Sequence, residues 1–348
     1  MHLQGCRTDL PVILIYDVDP SWSPEDILDK EDATRQLAEA LADIGHPVEE
    51  LPIRSADLQA AMCHILPDEC LVLNWCEEFP GRPLSESQVA LALEQMGFTF
   101  TGADSRTISL SENKGQVKHL LRAQGIPTPA WQVFNTAENV SWDRFPAIVK
   151  AAFAHCSYGI TRESVVLSPI ELTQRIQYVL DTLHQPALVE EFIDNREFHV
   201  GVIGNAHLQV LPPGEIDYSA FPDIHDRLCT YESNNDPKSL AYQVTAPRMQ
   251  VELPQKLREQ LEQVVVAAYR TVGCRDYARM DVRLQDGIFY MLDVNPNPDI
   301  CADTSFALGA ELAGMSYGML GSLIVNLAAQ RHKKFASTNT NRSNTGEN

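Results

Sequence analysis

A basic surplus is missing from this sequence. Its 348 residues carry 27 Lys and Arg against 47 Asp and Glu, a formal net charge of −20. Nucleic acid is bound through cationic surface, so this balance argues against it as a general partner, and equally against an anionic membrane. Long apolar runs are missing too. The early run PVILIYDV is short and contains Asp17, so it reads as a first strand and not as a signal peptide. No run approaches transmembrane length. Paired cysteines are absent: the eight are scattered, with no CxxC. Cys63, His64, Cys70 and Cys76 are neighbours in sequence, but their spacing fits no zinc pattern, and they read as buried reduced thiols. A cytoplasmic compartment is the expectation. There is no Walker A motif and no internal repeat.

What is present is ordinary globular material, 44% apolar and 21% charged, in a chain long enough for two or three lobes. Strands are expected at 11–18, 48–53 and 70–74. They alternate with helices from Asp32 to Ile44, from Leu58 to Ile65 and from Gln88 to Met96, which implies a parallel, doubly wound sheet. Ligands of such sheets lie beyond the carboxyl ends of the strands. Here those ends are Asp17-Val18-Asp19 and Asn74 to Glu78, with Glu77 a candidate substrate contact. A helix from Asn113 to Gln124 places Lys114 and Lys118 one turn apart, a spacing that usually marks a solvated face.

The stretch RMDVRLQDGIFYMLDVNPNP, residues 279–298, alternates with a period of two. Its even positions are apolar, and its odd ones include Arg279, Asp281, Asp293 and Asn295. Two strands with one buried face are implied. A three-residue loop, Gln285-Asp286-Gly287, pairs residue 279 with 293 and 281 with 291 and gathers the apolar residues on one side. The other side then carries hard oxygen ligands on a stiff hairpin, which suits Mg2+. A solvated polar face is the bland alternative.

Upstream, Pro146 to Lys150 is a strand that ends in lysine before a small-residue loop, Ala151 to Gly159, containing Ser157. A compact cation next to exposed backbone N–H groups fits a phosphate clamp. The stretch ALVEEFIDNREFHVGVIGN follows a helix over 169–183. It reads as a strand at Leu188-Val189, a connector with Glu190, Glu191, Phe192 and Ile193, and a strand opened by Glu197. Carboxylates placed there can accept from an adenine amino group or from ribose hydroxyls; ordinary edge carboxylates are the alternative. The polar stretch 212–247 is long enough to be functional. Helices are expected at 254–272 and 308–329, with a disordered polar tail beyond.

These stretches fall into one order: Asn-Lys at a helix start, Val-Lys before a small loop, VEEFIDNREF, a long loop, and RMDV with LDVNPNP. The series, over about residues 70–328, resembles the ATP-grasp superfamily and within it the D-alanine–D-alanine ligase-like branch. The resemblance implies a mixed α/β and α+β fold. Its parts would be an N-terminal parallel-sheet lobe over 9–107, a central lid over 108–188, a C-terminal lobe over 189–332 and the tail 333–348, with ATP between the last two lobes. By the same resemblance Lys114 and Lys150 hold the ATP phosphates and Ser157 lies in the loop that covers them. Glu190 meets adenine beside the Ile193 backbone, and Glu197 meets ribose. Arg279 stabilises the transition state. Asp281, Asp293 and Asn295 bind two Mg2+ ions, or Mn2+. An acid and an amine, both small molecules and in this family amino acids, would be joined through an acyl phosphate. Members of the family are commonly dimers, which leaves a homodimer open.

The sequence also departs from that pattern. The family's histidine-glycine and GEDG runs are absent; the loop reads Glu77-Glu78-Phe79-Pro80-Gly81-Arg82-Pro83. Tyr231-Glu232-Ser233 is followed by Asn234 where the family has a lysine. Asp299 replaces a glycine of the oxyanion site. The nucleotide half matches and the amino-acid half does not, so the expectation is an ATP-dependent carboxylate–amine ligase acting on something other than D-alanine. A relative that binds nucleotide with little turnover is the alternative.

Overall fold

The computed structural model describes residues 6–154, 157–230 and 246–336. The first sheet is parallel, ordered β2-β1-β3, with β1 at Val12–Asp17, β2 at Val48–Ile53 and β3 at Leu71–Trp75. β1 and β3 are buried throughout, as the doubly wound reading requires. Helix α1, Pro24–Asp43, lies between β1 and β2 and begins a full turn and more before the expected start at Asp32. The sequence Ser23-Pro24-Glu25-Asp26 explains the difference. Ser23 accepts from the Asp26 N–H at 3.1 Å, Pro24 supplies a preset φ, and two acids sit at the positive end of the helix dipole. Helix α2 is only Leu58–Ala61, and α3 runs Glu86–Gln95.

Two helices lead out of this region: α4, Ser105–Glu112, which the sequence reading passed over, and α5, Lys114–Ala123. The second sheet is ordered β4-β7-β5-β6 and is antiparallel, with β4 at Trp131–Phe134, β5 at Ala147–Ala151, β6 at Val165–Val166 and β7 at Ala187–Glu191. Helix α6, Pro169–Thr182, covers one face through Leu172, Ile176 and Val179. The third sheet runs β10-β8-β11-β12, with β9 also paired to β8. Its strands are β8 Glu197–Gly204, β9 Leu208–Val210, β10 Gly214–Ile216, β11 Tyr277–Gln285 and β12 Ile288–Asn295. Helix α7, Gln255–Val272, packs Leu261, Val265, Ala268 and Tyr269 against it.

The closing helix is two helices, α8 at Ser305–Leu312 and α9 at Tyr317–Ala329, bent 101° apart. Gly314, at φ 86°, makes the break. Among the described residues no single helix is long and apolar enough to cross a membrane. Helix α9 returns to the first lobe, where Leu320 and Ile324 share one core with Leu14, Leu37, Leu41 and Leu73. His46 reaches Ser322 Oγ at 2.9 Å and the Leu10 carbonyl at 3.0 Å. The tail was expected to begin at 333, yet Phe335 is buried in that same core; residues 337–348 lie outside the described ones. A second tie is Asp276, buried at φ 63°. It accepts from the Gly102 N–H at 3.0 Å and from Asn205 at 3.0 Å, and it pairs with Arg331 at 2.6 Å.

A Cβ at Gly318 would lie 2.2 Å from the Ala40 carbonyl oxygen. Gly318→Ala should therefore cost about 2 kcal/mol by overpacking the α1–α9 seam. Urea unfolding measures this, and an unchanged midpoint would mean the two helices are not packed so closely.

Candidate active site

The hairpin of β11 and β12 carries the candidate metal ligands, but in a register that differs from the expected one. Gln285 pairs with Ile288, so the loop is the two residues Asp286 and Gly287, both at positive φ, as a type I′ turn demands. An unbroken ladder from that turn would pair Asp293 with Met280, on the core side. A β-bulge between Asp281 and Val282 absorbs Leu292 as an extra residue, after which Asp281 pairs with Asp293 and Arg279 with Asn295. The buried residues of β12 are accordingly Phe289, Met291 and Val294, while Ile288 is exposed. The expected gathering of the four polar side chains on one side is met, through a bulge instead of a longer loop.

On that side Arg279 binds both oxygens of Asp281, at 2.8 and 3.0 Å, and the Asn295 amide donates to Asp281 at 2.9 Å. Lys114, at the first turn of α5, pairs with Asp293. Cations thus lie on both carboxylates in the protein alone. Two carboxylates and a carboxamide on paired strands form a hard-oxygen donor set that fits Mg2+.

Facing the hairpin is a group of three charges, two of them buried and Lys150 half-buried. Glu190 pairs in register with Ile148, so Lys150, two residues on in β5, shares its face of the second sheet. Glu190 makes ion pairs with Lys150, at 2.9 Å, and with Lys118. Lys118, one turn after Lys114, also donates to Thr128 Oγ1 at 2.9 Å. It is 2% exposed, so the solvated-face reading of this residue is corrected: its side chain turns inward to Glu190 and Thr128. The expected connector position of Glu190 is corrected as well, since it lies inside β7 and is 1% exposed. Burial works against its charge, but the two lysines outweigh burial and hold its carboxyl at about 2. Burial lowers Lys118. Lys150 is raised in spite of burial, by Glu190 and then by Asp293, which brings the second sheet and the hairpin into one electrostatic site.

Glu197 opens β8 under the connector 192–196. Its Oε2 is held by Arg283 at 2.6 Å and its Oε1 lies 3.4 Å from His199 Nε2. Arg283 also donates to the Ile193 carbonyl at 2.7 Å, which ties the connector to the hairpin. Burial would discharge His199, but Asp281 and Glu197 raise it to about 10. Lys118, Arg283 and His199 are the residues sequence reasoning missed. Their signal was weak: a lysine at helical spacing, and two polar residues inside mostly buried strands. Ser157 stands in a turn at φ 55°, two residues before Gly159 at φ 70°.

Beyond the carboxyl ends of β1 and β3, Lys30 reaches Glu77 at 3.0 Å and Asp17 at 3.7 Å. Glu86 accepts from Asn297 at 2.9 Å, and burial pushes its carboxyl up to about 8. Asp299 is exposed and turns one oxygen to the Cys301 N–H at 2.9 Å. Asn234 lies outside the described residues.

Residues 120–327 match the family described as D-ala D-ala ligase C-terminus. A match over more than half the chain defines its class: the chain belongs to the D-alanine–D-alanine ligase family, on the ATP-grasp fold. Among its relatives, an uncharacterized protein of Sinorhizobium fredii is 32% identical over 264 residues, 75% of each chain. The D-alanine–D-alanine ligase of Aquifex aeolicus is 26% identical over 297 residues, 84% of this chain and 92% of that one. In fold, the chain resembles the Bacillus anthracis D-alanine–D-alanine ligase solved with ATP, at a TM-score of 0.71 and 20% identity, over 93% of this chain and 99% of that one.

Glu190→Gln should destabilise the protein by about 3 kcal/mol, because it leaves buried Lys118 and half-buried Lys150 without their shared counter-charge. The stability Glu190 contributes is complete above the ordinary carboxylate range and is lost as pH falls toward about 2. Denaturant unfolding from pH 7 downward tests both. If the variant loses nothing at pH 7, Glu190 is not ionised between the lysines.

Proposed function

We propose that the protein is an ATP-dependent carboxylate–amine ligase whose acid substrate is an amino acid or small acid other than D-alanine. The observation that carries the reading is the opposition of Asp281, Asp293 and Asn295 on the hairpin to Lys114, Lys150 and the Glu190 ion pairs. ATP phosphorylates the acid, the amine attacks the acyl phosphate, and an amide, ADP and phosphate leave. In this reading Lys114 and Lys150 bind the phosphates, and Glu190 fixes Lys150 through their ion pair. Ser157 belongs to the loop over the phosphates. The adenine lies beside Glu190 and the Ile193 backbone, and the ribose beside Glu197.

Asp281, Asp293 and Asn295 would hold Mg2+, or Mn2+, which when bound neutralises phosphoryl charge. Arg279 is positioned by Asp281 and would donate to the oxyanion of the second step, a kind of interaction worth roughly 3 kcal/mol of barrier. The substrate side supports a changed acid. The family's histidine-glycine and GEDG runs have no counterpart, and Lys30, Asp17, Glu77 and Glu86 stand in that region. A cytoplasmic location fits the seven free thiols among the described residues.

ADP release across a panel of acid and amine pairs tests the reading. Asp293→Ala should cut the productive rate by about 100-fold or more, with a far-ultraviolet spectrum and unfolding midpoint close to wild type. ATP bound tightly with no pair stimulating ADP release would favour the nucleotide-binding alternative. Turnover unaffected by Asp293→Ala would remove the hairpin from the chemistry.

A further inference from the structure

One cluster beside the proposed nucleotide site has a different chemistry from the rest. Glu197, His199 and Cys229 each offer a ligand atom, and the three atoms lie within 4.8 Å of one another. No other group of three His, Cys, Asp or Glu side chains among the described residues meets that condition. Oε1 of Glu197 is 3.4 Å from His199 Nε2 and 3.9 Å from Cys229 Sγ. In a tetrahedral zinc site, neighbouring ligand atoms stand roughly 3.3–3.7 Å apart, as bond lengths of about 2.0–2.3 Å require. The cluster is therefore near that spacing before any ion is present.

Its parts are held from behind. Glu197 and His199 project from one face of β8, since they are two residues apart in a strand. Arg283 occupies Oε2 of Glu197 at 2.6 Å and leaves Oε1 turned toward His199. The Tyr218 hydroxyl lies 3.1 Å from Cys229 Sγ. Glu197 is 6% exposed.

We propose that Glu197, His199 and Cys229 form a binding site for a borderline-soft divalent cation, Zn2+ above all, and that the ion and the nucleotide exclude each other there. A thiolate and an imidazole select Zn2+, whereas Mg2+ prefers the all-oxygen set of the hairpin, so the two ions sort themselves between adjacent sites. Binding releases the thiol proton and the imidazolium proton to solvent. Two carboxylates, Glu197 and Asp281, lie 3.4 and 3.9 Å from His199 Nε2, the first paired to Arg283 and the second to Arg279. The exclusion rests on the nucleotide reading above, in which the ribose uses Glu197. An ion on Oε1 withdraws that oxygen, so zinc would act as an inhibitor competitive with nucleotide.

Cobalt is the probe, because a thiolate–Co2+ bond absorbs in the near ultraviolet. The metal-stripped full chain, kept reduced, should take up one Co2+ with a charge-transfer band that Zn2+ displaces. Cys229→Ser should abolish the band and weaken zinc binding at least tenfold, and His199→Gln should weaken it similarly. Cys63→Ser, at an exposed thiol, should change nothing. Thermal unfolding of the metal-free variants confirms that each is folded, and His199→Gln serves alone if Cys229→Ser is not. A missing band, or a band that survives both substitutions, overturns the site.

Adenosine, which has the ribose but does not chelate zinc through phosphates, addresses the nucleotide reading separately. Adenosine that weakens zinc binding in proportion to its own affinity supports the shared carboxylate. Adenosine and zinc bound together overturn the exclusion and take Glu197 out of the ribose contact. Adenosine binding with no zinc binding overturns the metal site and leaves the nucleotide reading standing.

Discussion

Leu292 is the residue on which the candidate site depends. The turn at Asp286-Gly287 sets a regular ladder, and continued unbroken it would point Asp293 at the core beside Met280. The bulge takes up one residue, and from there to Asn295 every side chain of β12 changes face. Two needs are met by one irregularity: a tight turn that matches the strand twist, and a carboxylate that reaches the cleft. Bulges recur beside active sites for this reason, since they re-aim side chains without breaking the sheet. Val294 shows the other half of the exchange, being fully buried immediately beyond Asp293.

The second determinant is electrostatic. Three side chains, Lys118, Lys150 and Glu190, come from a helix and two strands and meet with Lys118 and Glu190 buried and Lys150 half-buried. One carboxylate shared by two lysines puts a local excess of basic groups here although the chain is strongly acidic. A buried group of this kind is a poor source of stability but a strong source of geometry. Any rotation of β7 against α5 separates opposite charges in a low-dielectric setting, so the ion pairs fix the aim of the lysines.

Much of this was legible in the sequence, and the misses have physical reasons. Strand periodicity found β1, β5, β8, β11 and β12, because each buries a regular set of apolar residues. Period-two reasoning failed from Ile288 to Leu292, where Phe289 and Met291 are buried and Ile288 is exposed, because the two-residue turn shifts the strand by one and only the bulge at Leu292 restores the expected phase for Asp293 to Asn295. The start of α1 lies ahead of the expected one because the Ser23-Pro24-Glu25-Asp26 cap opens the helix before its buried stripe, Thr34 to Leu41, begins. The closing helix was read as continuous over Gly314, where only the backbone angle marks the break. At the site, the meeting of Lys114 with Asp293 and of Arg279 and Asn295 with Asp281 follows the motif order. Lys118 and Arg283 were not legible from it, because they act through Glu190 and Glu197, and a sequence does not reveal which distant carboxylate a buried cation will meet.

Helix α9 has a consequence for how the protein is made. Leu14, Leu37, Leu41 and Leu73 belong to the first quarter of the chain, yet their packing partners Leu320 and Ile324 are among the last residues of the described fold. On a ribosome the first lobe emerges early and can form its parallel sheet, but one apolar flank stays open until α9 has been synthesised. That interval is when a nascent chain is most exposed to wrong association. The −20 charge then has a use apart from the reaction, since like-charged unfinished chains repel one another through the time their cores are incomplete.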